Sequence, residues 1–319
     1  MARTAFDEAS SGAGRGRTAA RVERLSKASV GRGVDAFADI AWDDPEMAIL
    51  PGDARLSCLP SFDPLADTRW YQSLPIERRG LVGAWRVASA LRVGCDFENF
   101  LQQGLLRRAL ARKGDEAESR YAHHENIEES QHTLMFSEFI RRSGLAPKGI
   151  PWFIRRPFGH LVPFASTRMP ALFFLLVLTG EEPIDRYQRR FIAEGIEHPL
   201  LAKVMRYHVA DESRHVSFAR MTLADEVAAM SWGSRQAFAV VAPFLLWGAA
   251  LMMLLPPPEM ARDLGVPYRT LWEPFFGQQG RRFLADMVSK PRQLIDELSL
   301  MTLLAGHVWD ALGIRDEPS

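Results

Sequence analysis

Hydrophobic and polar residues follow a helical period along most of this chain. Apolar residues recur at steps of three and four, and almost no segment alternates with the period of two that a half-buried strand shows. Glycine or proline follows several of these periodic segments, as is usual at helix ends. The pattern therefore predicts an all-α protein.

Start and stop signals divide the pattern into six predicted helices. The first begins after Pro75 and ends near Lys113-Gly114, and the others cover about Ser119 to Arg142, Pro170 to Glu197, Pro199 to Met230, Ala237 to Leu255 and Pro291 to Leu312. Five prolines fall between residues 145 and 170. Because proline interrupts helices, this segment is predicted to be a long ordered connection that crosses the molecule without forming a helix.

The fifth helix raises the question of a membrane span. Ala237 to Leu255 contains no charged residue, and as a helix it would be about 28 Å long, close to the thickness of a bilayer core. However, Pro243 interrupts it, a run of three prolines ends it, and Arg235 is the only basic residue close to either end. A buried or interface helix is favoured, with no membrane partner.

Composition narrows the class of protein further. The chain has 319 residues, 47% of them hydrophobic, which is enough for one large core. Basic and acidic residues both number 39, with no long basic stripe, which argues against a nucleic-acid partner. Cys58 and Cys95 have no metal or redox spacing, as fits a reducing cytoplasm. Residues 1–32 are interpreted as a flexible N-terminal arm and residues 33–319 as a single domain.

Two Glu-x-x-His pairs carry the candidate chemistry. Glu129 and His132 lie in the second predicted helix, and Glu212 and His215 lie in the fourth. The spacing of three residues puts each carboxylate and imidazole on one helix face. A dinuclear metal site in a four-helix bundle needs such a pair from two helices and one further glutamate from each of the other two.

Glu98 is the candidate glutamate on the first predicted helix. It lies on an otherwise apolar stripe, where a carboxylate is costly to bury unless it is paired or binds a metal ion. The neighbouring Asp96 lies off that stripe and is predicted to be solvated. On the third helix Glu181 and Glu182 both follow a long uncharged run.

An internal repeat chooses between these two residues. Glu98 and Glu129 are 31 residues apart (129 − 98), and Glu181 and Glu212 are also 31 apart (212 − 181), so the two helix pairs repeat with an offset of 83. Repetition of this kind is what a pseudo-symmetric bundle leaves in a sequence. The repeat selects Glu181 over Glu182.

His208 is a seventh candidate ligand. It precedes Glu212 by four residues and His215 by seven, so all three side chains project from one helix face. The alternative is a core histidine whose hydrogen bonds are satisfied. The alignment with two candidate ligands favours ligation.

Asp211 and Arg214 flank the second Glu-x-x-His pair. Ligating histidines usually donate their second N–H to a carboxylate, so Asp211 is predicted to orient His132 across the bundle, with Arg214 balancing its charge. The alternative is a solvated ion pair. Glu125, the repeat partner of His208, is left unassigned.

These motifs resemble those of a known enzyme family. The residues that carry the resemblance are Asp39-Ile40-Ala41-Trp42, Phe97-Glu98, His124-Glu125, Glu128-Glu129-Ser130-Gln131-His132, Glu181 and the run from His208 to Arg220, HVADESRHVSFAR. From about Leu25 to Leu254 the chain resembles the diiron N-oxygenases that turn arylamines into nitroarenes, the para-aminobenzoate and chloramphenicol-pathway type. The histidine before the last Glu-x-x-His separates this family from the acyl-carrier desaturases and the small subunit of ribonucleotide reductase.

The resemblance implies a ferritin-like four-helix bundle with additional helices, two iron ions, dioxygen as co-substrate and an external electron donor. The implied ligands are Glu98, Glu129, His132, Glu181, His208, Glu212 and His215, and the implied reaction oxidises an amine to a hydroxylamine, nitroso or nitro product. The small-molecule amine could be carrier-bound, and a cytoplasmic homodimer is expected. Ligand chemistry alone would also suit manganese.

Two other functions remain open at this point. The same site could perform hydroxylation or desaturation of another small or carrier-bound substrate. Alternatively, a ferritin-like protein could use the site only to bind or store metal. The substrate itself is open, because Val93 and Gly94, one turn before Glu98, offer no anchor for a substrate carboxylate.

Overall fold

The computed structural model describes residues 19–59, 63–112 and 116–315, and within these residues it has helices and no strand. The helices are α1 (residues 19–32), α2 (Arg69–Gln72), α3 (Ile76–Ala111), α4 (Glu116–Ser143), α5 (Trp152–Arg168), α6 (Pro170–Glu194), α7 (Pro199–Ala228), α8 (Trp232–Leu254), α9 (Pro258–Leu264), α10 (Tyr268–Phe276), α11 (Gln278–Met287), α12 (Ser289–Glu297) and α13 (Leu303–Leu312). Two short 3₁₀ turns, Pro45–Met47 and Ala54–Leu56, precede α2. The predicted all-α class is confirmed.

Four long helices form the central bundle. α3 packs most extensively on α4, and α6 on α7, while α4 also contacts α7 and α3 contacts α6. Pro170 and Pro199 stand at the first positions of α6 and α7, where the missing N–H costs no helical hydrogen bond. Gly144 follows α4 with φ of 68°, a conformation that favours glycine. The ferritin-like four-helix bundle with additional helices is thus confirmed.

The connection between the two helix pairs differs from the prediction. Residues 145–170 were expected to lack a helix, but they contain α5, which includes Pro157 and Pro163. Each internal proline costs a helix about 3 kcal/mol. Burial of Val162 and Ala165 and packing of the helix against α3 and α6 offset this cost. Tertiary packing thus overrides the local signal on which the prediction rested.

The C-terminal part contains more helices than predicted. Residues 256–290, for which no helix was predicted, contain α9, α10 and α11. The single helix expected from Pro291 to Leu312 is two helices, because the chain turns between them at Ser299 (φ 54°) and Thr302 caps α13 by accepting from the N–H of Ala305. The apolar residues between them continue the helical period, which hid the break.

The N-terminal arm is only partly described. Residues 1–18 lie outside the described residues, as does the predicted helix end at Lys113-Gly114. Residues 19–32 form α1, in which Val22 is buried and the guanidinium of Arg21 donates to Ser217 Oγ at 3.1 Å. A helix was not predicted in this part of the arm.

α8 contains the apolar stretch of the fifth predicted helix. It packs on α6 and α3 on one side and on α13 on another. By length and composition, Trp232–Leu264 could cross a membrane, yet half of its most apolar window is buried within the protein. Pro243 is buried inside the helix, whereas Phe244 is 51% exposed. α8 is therefore a helix with one face in the core and an apolar outer face.

Candidate metal centre

The bundle brings all seven predicted ligands to one buried point. They come from α3 (Glu98), α4 (Glu129 and His132), α6 (Glu181) and α7 (His208, Glu212 and His215), and each is 0–2% exposed. Their donor atoms fall into overlapping groups, and within each group the atoms lie within 4.8 Å of one another. The internal repeat therefore predicted a real convergence of side chains.

Glu129 and Glu212 occupy the middle of this cluster. Nδ1 of His132 lies 2.9 Å from Glu129 Oε2 and 3.4 Å from Glu212 Oε1. Nδ1 of His215 lies 2.9 Å from Glu129 Oε1 and 3.3 Å from Glu212 Oε1. Each of these two carboxylates therefore faces both imidazoles.

The outer nitrogen of each of these two histidines contacts an acid from the opposite Glu-x-x-His helix. Asp211 Oδ2 is 3.3 Å from His132 Nε2, so the predicted contact is present, and Glu128 Oε2 is 2.7 Å from His215 Nε2. The guanidinium of Arg214 donates to both acids at 2.6 Å. Because ionised carboxylates only accept hydrogen bonds, each imidazole donates its Nε2–H outward.

Glu128 is the residue that the sequence argument missed. The offset of 83 that relates the helix pairs also maps Glu128 onto Asp211 (211 − 128). Extending the repeat from the ligands to their neighbours would have identified it. The two histidine–acid contacts are thus equivalent halves of one pseudo-symmetric arrangement.

His208 stands at the α3 side of the cluster. Its Nε2 is 3.5 Å from Glu98 Oε1 and 3.5 Å from Glu212 Oε1, and its ring centroid is 4.5 Å from that of His132. Burial lowers the pKa of His208 to about 4, so the imidazole is neutral at pH 7 and offers a lone pair. The position fits a ligand better than a packing residue.

Burial and mutual repulsion govern the charges of the cluster. The pKa values of Glu98 and Glu181 are raised well above the usual range, first by burial and then by neighbouring carboxylates. Burial also opposes protonation of His132, but hydrogen bonds to Asp211 and Glu129 raise its pKa to about 9. Protons thus supply part of the positive charge that these carboxylates require.

This donor set fits metal ions. The oxygen Oε2 of Glu98 and Oε2 of Glu212 are buried without a hydrogen-bond partner among the described residues, as is Nδ1 of His208. Four carboxylates at one buried point are costly unless cations neutralise them. Hard carboxylate oxygens with imidazole nitrogens suit Fe(II) or Mn(II).

Three further acids near the ligands are not among the seven. Asp96, predicted to be solvated, is 7% exposed, because the segment before α5 covers it and the N–H of Ile150 donates to its carboxylate at 2.9 Å. Glu182, which the repeat rejected, pairs with Arg220 instead. Glu125 is buried, and burial raises its pKa.

Two cavities adjoin the cluster. The smaller has a volume of about 10 Å³ and is lined by Glu98, Glu181, His208 and Gln188, among others, which is room for about one water molecule. The amide of Gln188 is fully buried with no hydrogen-bond partner among the described residues. The larger cavity has a volume of about 1340 Å³ and shares Phe97 and Met253 with the smaller one.

Comparison with known proteins gives a family match over most of the chain. The family model described as p-aminobenzoate N-oxygenase AurF matches residues 16–299. The uncharacterized protein MT0908 of Mycobacterium tuberculosis (strain CDC 1551 / Oshkosh) is 36% identical over 297 residues, 92% of this chain and 87% of that protein. The uncharacterized protein Rv0885 of Mycobacterium tuberculosis (strain ATCC 25618 / H37Rv) is 35% identical over the same shares.

Among solved structures, similar chains include R2-like ligand-binding oxidases. A variant with an anaerobically reconstituted Mn/Fe cofactor has a TM-score of 0.39 and 18% identity over 87% of this chain and 94% of that one. Another, with an aerobically reconstituted metal cofactor after photoconversion, has a TM-score of 0.38 and 18% identity over the same shares.

Proposed function

Because this chain belongs to the p-aminobenzoate N-oxygenase AurF family, we propose that it uses two iron ions and dioxygen to oxidise an amine nitrogen. At a coarser level the family makes it a metal-dependent oxidase, an oxidoreductase. The observation that carries the proposal is the buried convergence of four glutamates and three histidines from four helices. Four glutamates and two histidines are the donor set expected of a dinuclear carboxylate site, and His208 adds a third imidazole.

Seven side chains would hold the two ions. They are Glu98, Glu129, His132, Glu181, His208, Glu212 and His215. Glu129 and Glu212 each lie close to Nδ1 of His132 and to Nδ1 of His215. Each carboxylate is therefore within reach of an ion held by either histidine. When bound, the iron ions would supply the electrons that activate dioxygen.

Side chains around the proposed ligands orient the histidines, balance charge and exclude water. Asp211 and Glu128 accept the Nε2–H of His132 and His215, which turns Nδ1 of each imidazole inward, where a metal ion would take the place of a proton. Arg214 neutralises the two acids. Phe97 and Phe136, both buried beside Glu98, help to exclude water from the cluster.

The proposal names the amine substrate only by its chemical class. An aryl or alkyl amine, free or carrier-bound, fits the proposal, and the reaction also needs an external electron donor. Hydroxylation or desaturation at the same site is the first alternative, and metal storage is the second. A homodimer in the cytoplasm, without nucleic-acid or membrane partners, completes the proposal.

Metal stoichiometry and product analysis test the proposal. The protein is loaded anaerobically with Fe(II), and iron per chain is measured before the reduced protein receives dioxygen and a panel of amines and acyl substrates, read by mass. We expect two irons per chain and oxygen added to nitrogen. A plateau at one iron, or products from the acyl substrates alone, would contradict it.

A matched pair of variants separates the site from its surroundings. Glu181→Gln removes a proposed ligand and should lower iron content below two per chain. Glu182→Gln changes the adjacent buried glutamate, which pairs with Arg220 outside the cluster, and should keep two. Equal iron content in both variants would remove Glu181 from the ligand set.

A further inference from the structure

The larger cavity is far bigger than a single-ring amine requires. Its volume is about 1340 Å³, whereas pockets of about 300–1,000 Å³ enclose drug-sized ligands. Its walls come from α3, α5, α6 and α8, and most of them are apolar, among them Val93, Phe158, Leu176, Leu245 and Met252. An elongated apolar molecule would fill this space, and a small ring would leave most of it empty.

Part of the wall of this cavity is shared with the small cavity at the candidate metal centre. Phe97 and Met253 line both this cavity and the small cavity beside Glu98 and Glu181. The Phe97 ring packs against Gly180, where an added Cβ would lie 3.0 Å from Cδ1 of the ring. Phe97 and Met253 therefore belong both to the wall of the apolar cavity and to the wall of the small cavity that some of the proposed ligands line.

Charged residues at the cavity are mainly basic. Lys148 and Arg155 are exposed, line the cavity and make no ion pair among the described residues. Arg92 also lines it and pairs with Asp96 at 3.4 Å. Among the described residues that line the cavity, the one acid is Glu259, which accepts a hydrogen bond from the backbone N–H of Lys148 at 2.9 Å. The outer part of the cavity therefore favours an anionic group.

From this geometry we propose that the cavity binds a single-chain amphiphile, with its anionic head beside Lys148 and Arg155 and its apolar chain directed toward Phe97 and Met253. This assignment names the substrate class, a chain whose amine nitrogen lies at the end opposite the anionic head, and it rests on the proposed function, because it directs that end toward the metal centre. The basic groups supply the head site that Val93 and Gly94, near Glu98, do not provide.

Binding of defined amphiphiles to the full-length protein tests the proposal without turnover. Decanoate, dodecanoate and tetradecanoate are titrated below their micelle concentrations, in the absence of dioxygen, by calorimetry. Burial of each methylene should tighten binding about fourfold, so each step of two should give about tenfold or more. Dodecanol, which has the same chain and no charge, should bind about tenfold more weakly than dodecanoate.

Cavity filling provides the first variant. An added Cβ at Gly248 meets no atom within 4 Å, and Gly248 lines the cavity, so Gly248→Phe should fill the space without straining the helix. We expect it to weaken dodecanoate binding at least about tenfold. Gly233→Phe is the control, because Gly233 lies on the same helix with equally open space and does not line the cavity.

Charge reversal provides the second variant. Arg155→Glu should weaken dodecanoate binding about threefold to tenfold and leave dodecanol binding unchanged. Arg156→Glu, an exposed neighbour that does not line the cavity, should leave both unchanged.

The outcomes distinguish this inference from the proposed function. Affinity that ignores chain length, or that survives both Gly248→Phe and Arg155→Glu, overturns the amphiphile site even if the protein binds two irons and oxidises amines. Conversely, selective dodecanoate binding by a protein that binds one iron or none supports the amphiphile site and contradicts the proposed function.

Discussion

At the scale of single residues, the centre depends on contacts that run in both directions across the bundle. His132 on α4 contacts Asp211 on α7, and His215 on α7 contacts Glu128 on α4. Each contact fixes which imidazole nitrogen carries the hydrogen, and thus which nitrogen faces the cluster. On the proposed function, the acids would therefore act on a bound metal ion through the histidines.

Loss of either acid should weaken metal binding without removing a ligand. We expect Glu128→Gln and Asp211→Asn each to lower Fe(II) affinity about tenfold to a hundredfold, by similar factors because the two contacts are equivalent. Competition with a chelator under anaerobic conditions measures this. Wild-type affinity in both variants would mean that the acids are structural only.

His208→Ala tests the seventh ligand. His208 carries no charge at neutral pH because burial lowers its pKa to about 4, so the variant should keep its helix content while the spectrum of the bound iron changes and amine oxidation falls. His123→Ala on the exposed face of α4 is the control. Unchanged iron spectra and turnover would make His208 a packing residue.

Much of the centre could be predicted from spacing alone. The two Glu-x-x-His pairs and the offset of 83 identified six of the seven side chains that the fold brings together, and the helix face shared with Glu212 and His215 identified His208. The same argument could not identify Gln188, because an amide two turns after Glu181 has no distinctive spacing, nor the burial of Asp96, which depends on the segment that covers it.

At the scale of elements, the sequence predicted where the bundle helices α6 and α7 begin. It missed α5, which lies outside the bundle. Pro170 and Pro199 mark the starts of α6 and α7 because proline fits the first turn. α5 was missed because its prolines lie inside the helix, where packing against α3 and α6 decides the outcome. A proline signal reflects the conformational preference of a short segment. It does not include the energy of packing that segment against other helices.

The approach of the Leu56 backbone to α3 makes Gly83 a sensitive position. A Cβ at Gly83 would lie 1.7 Å from the carbonyl oxygen of Leu56, so Gly83→Ala must displace one element. We expect a loss of about 3 kcal/mol or more in the free energy of unfolding, measured with denaturant. Gly31→Ala, where no atom lies within 4 Å, is the control and should change stability by less than about 1 kcal/mol.

At the scale of the whole molecule, α8 is the apolar helix whose burial bears on whether the protein enters a membrane. Its inner face, including Ala242 and Leu246, is fully buried, while Phe244 and Val241 on its outer face are exposed. Half of the most apolar window of this helix is thus buried within the protein. α8 also contacts α3, α6 and α13, so it belongs to the folded domain.

We expect the full-length protein to be recovered in the soluble fraction without detergent. Half of the most apolar window of α8 is buried within the protein, and Arg235, which could flank a span, donates to the carbonyl oxygen of Leu298 instead. Fractionation of expressing cells, followed by gel filtration, measures this. Recovery only from membranes would contradict the prediction.

The deep burial of the seven candidate ligands would affect how fast a bound metal ion exchanges. Each is 0–2% exposed, so release of a bound ion would require movement of the side chains or helices that cover it, and the residence time of the ion would follow the rate of that movement. Competing metals in solution would then exchange slowly. The ions found in the purified protein would record which metals were present when the chain first closed around them.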